Sequence, residues 1–377
     1  MSHRLPVARR RHVRMGIALL VPTLWACADA PGDPNALNVQ AVDGPLAAAP
    51  RLSLELHPLQ RFGGLRDDPD RELNARNGML EGLLTRNGGL VAIDGHRLFR
   101  FEPDGSLRSV NGVLGSGPGE SRLLSAVCLV RGDSVLTFDV ALRRASVTGP
   151  DGGPARQFSA PARGIMPKGG CLTDGSFLVA IVGSDPAAPG AGHLRRLSLE
   201  GDSLGDSEAF PLMSPVASTS IAVAGTRYWI ANPQSRDIGR YTATGELDLS
   251  LRLAEELMPM DAQEAEASQV VVPAQGSPAK RTSPLGTGQP APLFQRALAD
   301  GPERLWLQLA TGDWRLPERW VAVSASGTLT GQLELPPSEG YAPRRALQFQ
   351  GDRVLVLDRD AEGVAWFEVY RIIGLRP

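Results

Sequence analysis

The sequence predicts an all-β fold: a six-bladed β-propeller with four antiparallel strands per blade, the ring closed by an N-terminal strand that completes the last blade. Three observations predict it. Six stretches begin with the same turn-then-strand phrase, clearest in Gly132-Asp133-Ser-Val-Leu-Thr-Phe-Asp139 and Gly351-Asp352-Arg-Val-Leu-Val-Leu-Asp358. The starting glycines stand at 88, 132, 175, 225, 301 and 351, so that four of the five intervals lie between 43 and 50 residues, the period of propeller blades. Finally, the sixth unit is one strand short, while a lone alternating segment precedes the first.

Each unit reads as four strands. A second Gly turn recurs downstream of each of five starts: Pro103-Asp104-Gly105, Pro150-Asp151-Gly152, Glu200-Gly201-Asp202, Thr244-Gly245-Glu246 and Ser326-Gly327-Thr328. Glycine supplies the positive φ that tight hairpins need. The sixth unit makes its third strand (AWFEVYRI, from Ala365) and then stops at Pro377. The segment Arg51-Leu-Ser-Leu-Glu-Leu-His57 has the period-two pattern of a half-buried strand and is expected to fill that gap, which leaves the ring without an open edge.

Ahead of this segment, residues 1–26 carry five arginines and no acid, followed by an apolar run from Met15 to Trp25. That run is shorter than the roughly 20 residues needed to cross a bilayer and reads as an export signal. It ends in Leu24-Trp25-Ala26-Cys27, which resembles a bacterial lipobox with Cys27 as the lipidated residue; Ala28-Asp29-Ala30 offers ordinary cleavage as the alternative. Residues 27–50, rich in Ala, Pro, Gly and Asp, read as a flexible tether, and 51–377 as the propeller. The expected location is extracytoplasmic: a cell-envelope lipoprotein, or a secreted or periplasmic protein if Cys27 is not lipidated.

Removing the signal takes five of 39 basic residues and none of the 41 acidic ones, which leaves a net charge near −7. With no basic cluster, nucleic acid is not an expected partner. The long interval between Gly225 and Gly301 holds an insertion at 258–292; Ala254 to Ala267 is expected to include a short helix, and the stretch GSPAKRTSPLGTGQPAP cannot build a core. The insertion reads as a solvated loop, with a partner-binding arm as the alternative.

Cys128 and Cys171 occupy equivalent positions, four residues before their blade's starting glycine. Leu84, Ile221, Ala297 and Leu347 stand there in the other blades, so the position reads as an apolar site on an inner strand. Inner strands of neighbouring blades are expected to lie farther apart than the roughly 7 Å a disulfide allows, so two buried thiols are expected, although export into an oxidising space pulls the other way.

The chain contains no G-x-S-x-G elbow, H-E-x-x-H helix, P-loop or cysteine pair at zinc spacing, and His57, His96 and His193 are scattered singly. The most distinctive string, Gly115-Ser116-Gly117-Pro118-Gly119-Glu120, reads as a sharp turn that brings Glu120 near the channel mouth. Asp139, Asn232 and Asp358 each fall seven residues after a starting glycine. With Glu120 they are candidate ligands of an oxygen-rich calcium site; equally, they could cap strand ends and pair with arginines such as Arg143, Arg144 and Arg359.

With the GSGPGE turn, the phrase GDSVLTFDVALRRASVTGPDG and the ending GDRVLVLDRDAEGVAWFEVYRI, residues 50–377 resemble the bacterial six-bladed β-propeller lipoproteins related to NHL-repeat proteins. The long insertion and the Gly115-Ser116 start depart from the pattern. The resemblance implies an exported, lipid-anchored ring. The expected function is a non-enzymatic binding or scaffold protein at the cell envelope, holding a protein, peptide or glycan on one face of the ring, with no cofactor and with membrane contact only through the lipid. The alternative is a metal-dependent hydrolase similar to the gluconolactonase and regucalcin propellers, with calcium as its cofactor. Fold alone does not decide between them.

Overall fold

The computed structural model describes residues 39–375 apart from 65–67, 69–70, 74–79, 161–163, 166–169, 184–190, 213–217, 260–289, 311–315, 339 and 341–342. The export signal, Cys27 and most of the insertion lie outside the described residues. Within them, no helix is long and apolar enough to cross a membrane.

Six antiparallel sheets follow one another along the chain. Blade one comprises Leu80–Leu84, Leu90–Asp94, Arg97–Phe101 and Leu107–Asn111. Blade two comprises Leu124–Leu129, Val135–Asp139, Arg144–Thr148 and Pro154–Ser159. Blade three has a short first strand, Gly164–Ile165, followed by a single bridge from Cys171 to Phe177, and then Phe177–Val182, Ala191–Leu197 and Ser203–Asp206. Blade four comprises Ser220–Ala224, Arg227–Ala231, Asp237–Thr242 and Leu247–Arg252; blade five comprises Phe294–Ala299, Arg304–Leu309, Arg319–Ser324 and Leu329–Glu334. Blade six supplies Arg345–Gln350, Arg353–Arg359 and Ala365–Ile373.

The repeated glycines are explained by backbone geometry. All six starting glycines have φ between 60° and 92°, a conformation that side-chain-bearing residues rarely adopt, and all six lie in the turn from a blade's first strand into its second. The second strands are the most buried: Leu90–Asp94, Val135–Asp139 and the stretch Val354–Asp358 are buried at every position, as expected of strands covered on both faces.

The core is six clusters, one per blade interface. Trp229, Phe294 and Leu305 pack between blades four and five, Phe62, Phe99 and Phe367 between six and one, and Trp306, Trp320 and Phe349 between five and six. Phe138 and Phe177 fill the interface of blades two and three, and Tyr228 that of three and four. Only the cluster between blades one and two, built on Val91, Ile93, Leu98, Leu124, Val127 and Val135, has no aromatic ring.

Each interface also carries a polar or covalent tie at its inner strands and turns. Leu124 N donates to Gly95 O between blades one and two (2.7 Å), and Thr173 N to Gly225 O between three and four (2.9 Å). Side chains make the next three: Ala297 N donates to Ser220 Oγ (3.0 Å), Ala346 N to Glu318 Oε2 (2.9 Å) and Leu84 N to Gln348 Oε1 (2.8 Å). Between blades two and three the tie is a disulfide, Cys128–Cys171, with Cα atoms 5.7 Å apart. This corrects the expectation of two free thiols: the inner strands converge on the channel closely enough for the bond.

The last blade is completed from the N-terminal side, by a different segment from the one the alternation indicated. Ser53–Leu54 pairs with Ile373 and Ile372, but the longer pairing is made by Gln60–Gly63, opposite Trp366 to Val369. Leu52 and Leu54 pack inward, whereas Leu56 is 87% exposed, so the expected strand Arg51 to His57 gives way midway. Phe62, fully buried against Phe101, anchors the strand that the sequence reading missed.

Residues 39–50 are not a tether. Val39–Ala41 adds in parallel to the outer strand of blade four, Val42, Leu46 and Ala49 enter the core of blades four and five, and Arg51 bridges to Gln332 of blade five. The strap lies on glycines: a Cβ at Gly331 would overlap Leu52, and one at Gly327 would overlap Ala41 O. The helix expected from Ala254 does not begin before Met258; instead the insertion's base is closed by a Pro259–Pro290 bridge and by Ala291 N donating to Met258 O at 2.7 Å.

Two expected outcomes follow from this architecture. Deleting residues 28–50 takes Val42 and Leu46 out of the core of blades four and five, which removes about 3–5 kcal/mol of burial, so the melting temperature should fall by several degrees. Breaking the 43-residue disulfide loop with Cys128→Ala should cost about 2–4 kcal/mol, and the wild-type cysteines of the ring should resist maleimide until a reductant is added, as read by mass spectrometry.

Candidate functional site

A central channel of about 230 Å³ runs between the first strands. Its side chains are predominantly apolar, with Leu83, Leu84, Val127, Ile221 and Leu298 and with the Cys128–Cys171 pair; Glu81 and Gln348 are the polar side chains at the wall. Gln348 is already engaged by Leu84 N. The channel wall therefore holds little chemistry beyond the disulfide and one carboxylate.

The four candidate ligands are held apart, each by its own loop. Asp139, at the end of the second strand of blade two and 2% exposed, accepts Arg122 N (2.6 Å) and Leu123 N (3.4 Å) on one oxygen and Leu142 N (2.9 Å) on the other. It thus fastens the incoming connection to the turn that follows. Asp358, the equivalent in blade six, accepts Ser338 Oγ (2.6 Å) and Arg359 N (2.8 Å) and pairs with Arg344 Nε at 2.7 Å. Asn232 accepts Gln234 N (2.9 Å), a local Asx turn. Asp94, at the same place in blade one, pairs with Arg97 at 2.9 Å. Among the described residues no group of three or more His, Cys, Asp or Glu is arranged to hold a metal ion.

Glu120 turns back into its own loop. Its Oε2 accepts Gly117 N at 2.6 Å, and it fills the space over Gly115, where a Cβ would overlap the carboxylate; Gly115 and Gly117 are in the string because the carboxylate lies against them. Val113–Leu114 and Glu120–Ser121 pair in parallel to form a small finger. Arg144 clamps its base from blade two: Nη1 donates to Gly117 O (3.1 Å) and Ser116 O (3.3 Å), and Nη2 to Glu120 O. Arg144 was expected as a partner for a strand-end aspartate; it serves the finger instead. Val113 and Leu114 at the tip are 64% and 65% exposed.

Beneath the finger, between blades one and two, lies a second cavity of about 180 Å³ that the sequence reading did not find. Its residues come from the ends and faces of strands in different blades, so no contiguous motif marks it. A buried ionic network joins blades five and six: Arg296 Nη2 contacts Glu318 Oε1 (3.1 Å) and Ala346 O (3.0 Å), while Trp320 Nε1 donates to Glu318 Oε2 (3.0 Å). In blade six, Arg344 links Asp358 to Tyr370, whose hydroxyl donates to Glu368 Oε2 at 2.7 Å; burial and that carboxylate push the Tyr370 phenol up to about 12. The first network also positions the backbone of Ala346, from which Glu318 accepts the N–H and to which Arg296 donates, while Arg296 Nη1 is left without a hydrogen-bond partner among the described residues.

No protein-family model and no curated protein matches the sequence. Solved structures do match. A Bacteroides fragilis protein described as a "putative exported protein" is 12% identical, with a TM-score of 0.56, covering 90% of this chain and 100% of its own. A DUF4221-family member from Bacteroides vulgatus is 7% identical (TM-score 0.47, 86% and 99% covered). Regucalcin from Agrobacterium tumefaciens, a calcium-binding protein, is 11% identical (TM-score 0.41, 89% and 97% covered). At such identities the likeness to the first shows the propeller fold alone.

The finger's construction gives a direct test. Glu120→Gln weakens one charge-assisted hydrogen bond and Arg144→Ala removes three carbonyl contacts. The expected losses are about 1 and about 2–3 kcal/mol, with elastase cutting within 113–121 in the Arg144 variant and sparing the wild type.

Proposed function

We propose that this chain is an exported lipoprotein of the NHL-related six-bladed group, anchored through Cys27, that acts as a non-enzymatic binding or scaffold protein at the cell envelope. The observation that carries the reading is the commitment of the candidate carboxylates: Glu120, Asp139 and Asp358, like the Asn232 amide, each hold main chain of their own loop. A hydrolytic centre needs such groups to converge on a substrate or a cation, and these are spread over blades two, four and six and the finger. What the ring offers instead is a rigid frame with loops and inter-blade clefts, the usual support for recognition. Export is supported by the disulfide, since such bonds persist in oxidising compartments, and by the basic-then-apolar leader.

Two measurements test this. Cys27→Ser should move the protein from the membrane pellet to the soluble envelope fraction. The melting temperature should be unchanged by EDTA and by added calcium, because only a ligand of the folded state shifts it; a reversible drop of several degrees on chelation would overturn the reading in favour of the calcium-dependent hydrolase.

A further inference from the structure

The interface between blades one and two differs from the other five. Among the described residues its apolar cluster is the one without an aromatic side chain, and it carries a cleft of about 180 Å³. A cleft of this size, open to solvent and walled by both apolar and polar side chains, has the make-up of a small-ligand site.

The walls indicate its chemistry. The apolar surface is supplied by Leu98, Leu124 and Val147. Around it stand hydroxyl and carboxamide groups from both blades: Asn111 at the end of the fourth strand of blade one, and Ser146, Thr148 and Gln157 on the third and fourth strands of blade two. Their hydrogen-bonding capacity is largely unspent. Asn111 Oδ1 accepts Ser109 Oγ at 3.2 Å and Gln157 Oε1 accepts Gly119 N at 3.3 Å, which leaves both carboxamide NH₂ groups, and the hydroxyls of Ser146 and Thr148, without a hydrogen-bond partner among the described residues.

Charge is nearly absent from this wall. Arg156 spends its guanidinium on Glu200 at 2.6 Å, and Arg100, which crosses the interface, donates to Gly149 O at 2.8 Å and to Thr148 O. Burial and the neighbouring Arg97 pull His96 below the usual imidazole range, which keeps the ring neutral. The remaining charge, Glu120, is a hydrogen-bond acceptor and repels anions. Three glycines (112, 119 and 152) widen the opening; a Cβ at Gly152 would press on Asn111 at 3.0 Å.

From this we infer that the cleft between blades one and two binds a neutral, hydroxyl-rich ligand the size of one sugar ring, such as a terminal residue of a cell-surface glycan. Side-chain amides and hydroxyls donate to and accept from vicinal hydroxyls, and the leucine and valine floor takes the C–H face of the ring. The cleft is smaller than the roughly 300–1,000 Å³ of sites for drug-sized ligands, which sets the limit of one ring. The inference rests on the reading of this chain as a binding protein and names the ligand class for it.

The test is saturation-transfer NMR on the full chain with glucose, galactose, mannose and N-acetylglucosamine as probes. Melting shifts alone do not serve, because sugars stabilise proteins by exclusion from their surfaces. At least one sugar should receive saturation on its ring protons. Ser146→Phe should abolish the signal by filling the cleft, and Asn111→Ala should weaken binding about tenfold, the loss of one hydrogen bond. If Ser146→Phe fails to fold, the Asn111 variant decides. Absence of transfer to all four sugars overturns the assignment, and so does transfer that survives the variants. Either result with the protein still released by Cys27→Ser and insensitive to EDTA refutes the cleft alone and leaves the envelope binding role standing.

Discussion

The structure depends on how each blade satisfies the inner edge of its first strand. That strand pairs with its second strand on one side only, and its other edge faces an apolar channel in which an unpaired N–H group costs about 1–3 kcal/mol. At five of the six interfaces a hydrogen bond from a neighbouring blade meets this demand locally; the sixth is tied covalently, by a bond that takes no N–H group. Ser220, Glu318 and Gln348 reach across to Ala297 N, Ala346 N and Leu84 N, two main-chain bonds serve two more interfaces, and the disulfide serves the sixth. Register between blades is thereby fixed at the centre, and the aromatic clusters farther out can interdigitate only in that register.

The outer edges pose the same problem, and here the N-terminal segment supplies the solution for half of the ring. From Val39 to Gly63 it passes along blades four, five and six, pairing in parallel at Val39–Ala41, by a single bridge at Arg51 and antiparallel at Ser53–Leu54 and Gln60–Gly63. Closure of the last blade is thus one part of a longer clasp. Gly327 and Gly331 on blade five have no room for a side chain because the clasp lies on them, which ties residues near the two ends of the ring-forming sequence to one another.

The blades were legible because positive φ at a tight turn demands glycine, and that demand recurs once per repeat irrespective of the surroundings. The second strands, buried on both faces, were legible for a similar reason: their environment is the same in each blade. What was not legible depends on distances between blades. Whether Cys128 and Cys171 could bond turned on how closely two inner strands approach, which no local pattern encodes. Gln60–Gly63 was overlooked because it carries a single large apolar residue, Phe62, and shows no alternation. Glu120 was placed near the channel because its loop crosses in that direction; the clue to its true orientation was present in Gly115 and Gly117, which make space for its carboxylate.

The candidate ligands illustrate how a repeat can imitate a site. Asp94, Asp139, Asn232 and Asp358 recur because the end of a second strand must be joined to the turn after it or the connection before it, and a short side-chain oxygen does this in each blade that has one. The recurrence is a property of the scaffold, and equivalence around a ring does not bring side chains together at its axis. A binding site in such a molecule is better sought where the blades differ. Five interfaces carry Trp, Phe or Tyr in their clusters; among the described residues the one between blades one and two carries none, and holds Ser146, Thr148, Asn111 and Gln157 around its cleft. The inner-strand ties keep that interface in register without its own aromatic packing, so the ring can leave a cleft there and remain closed.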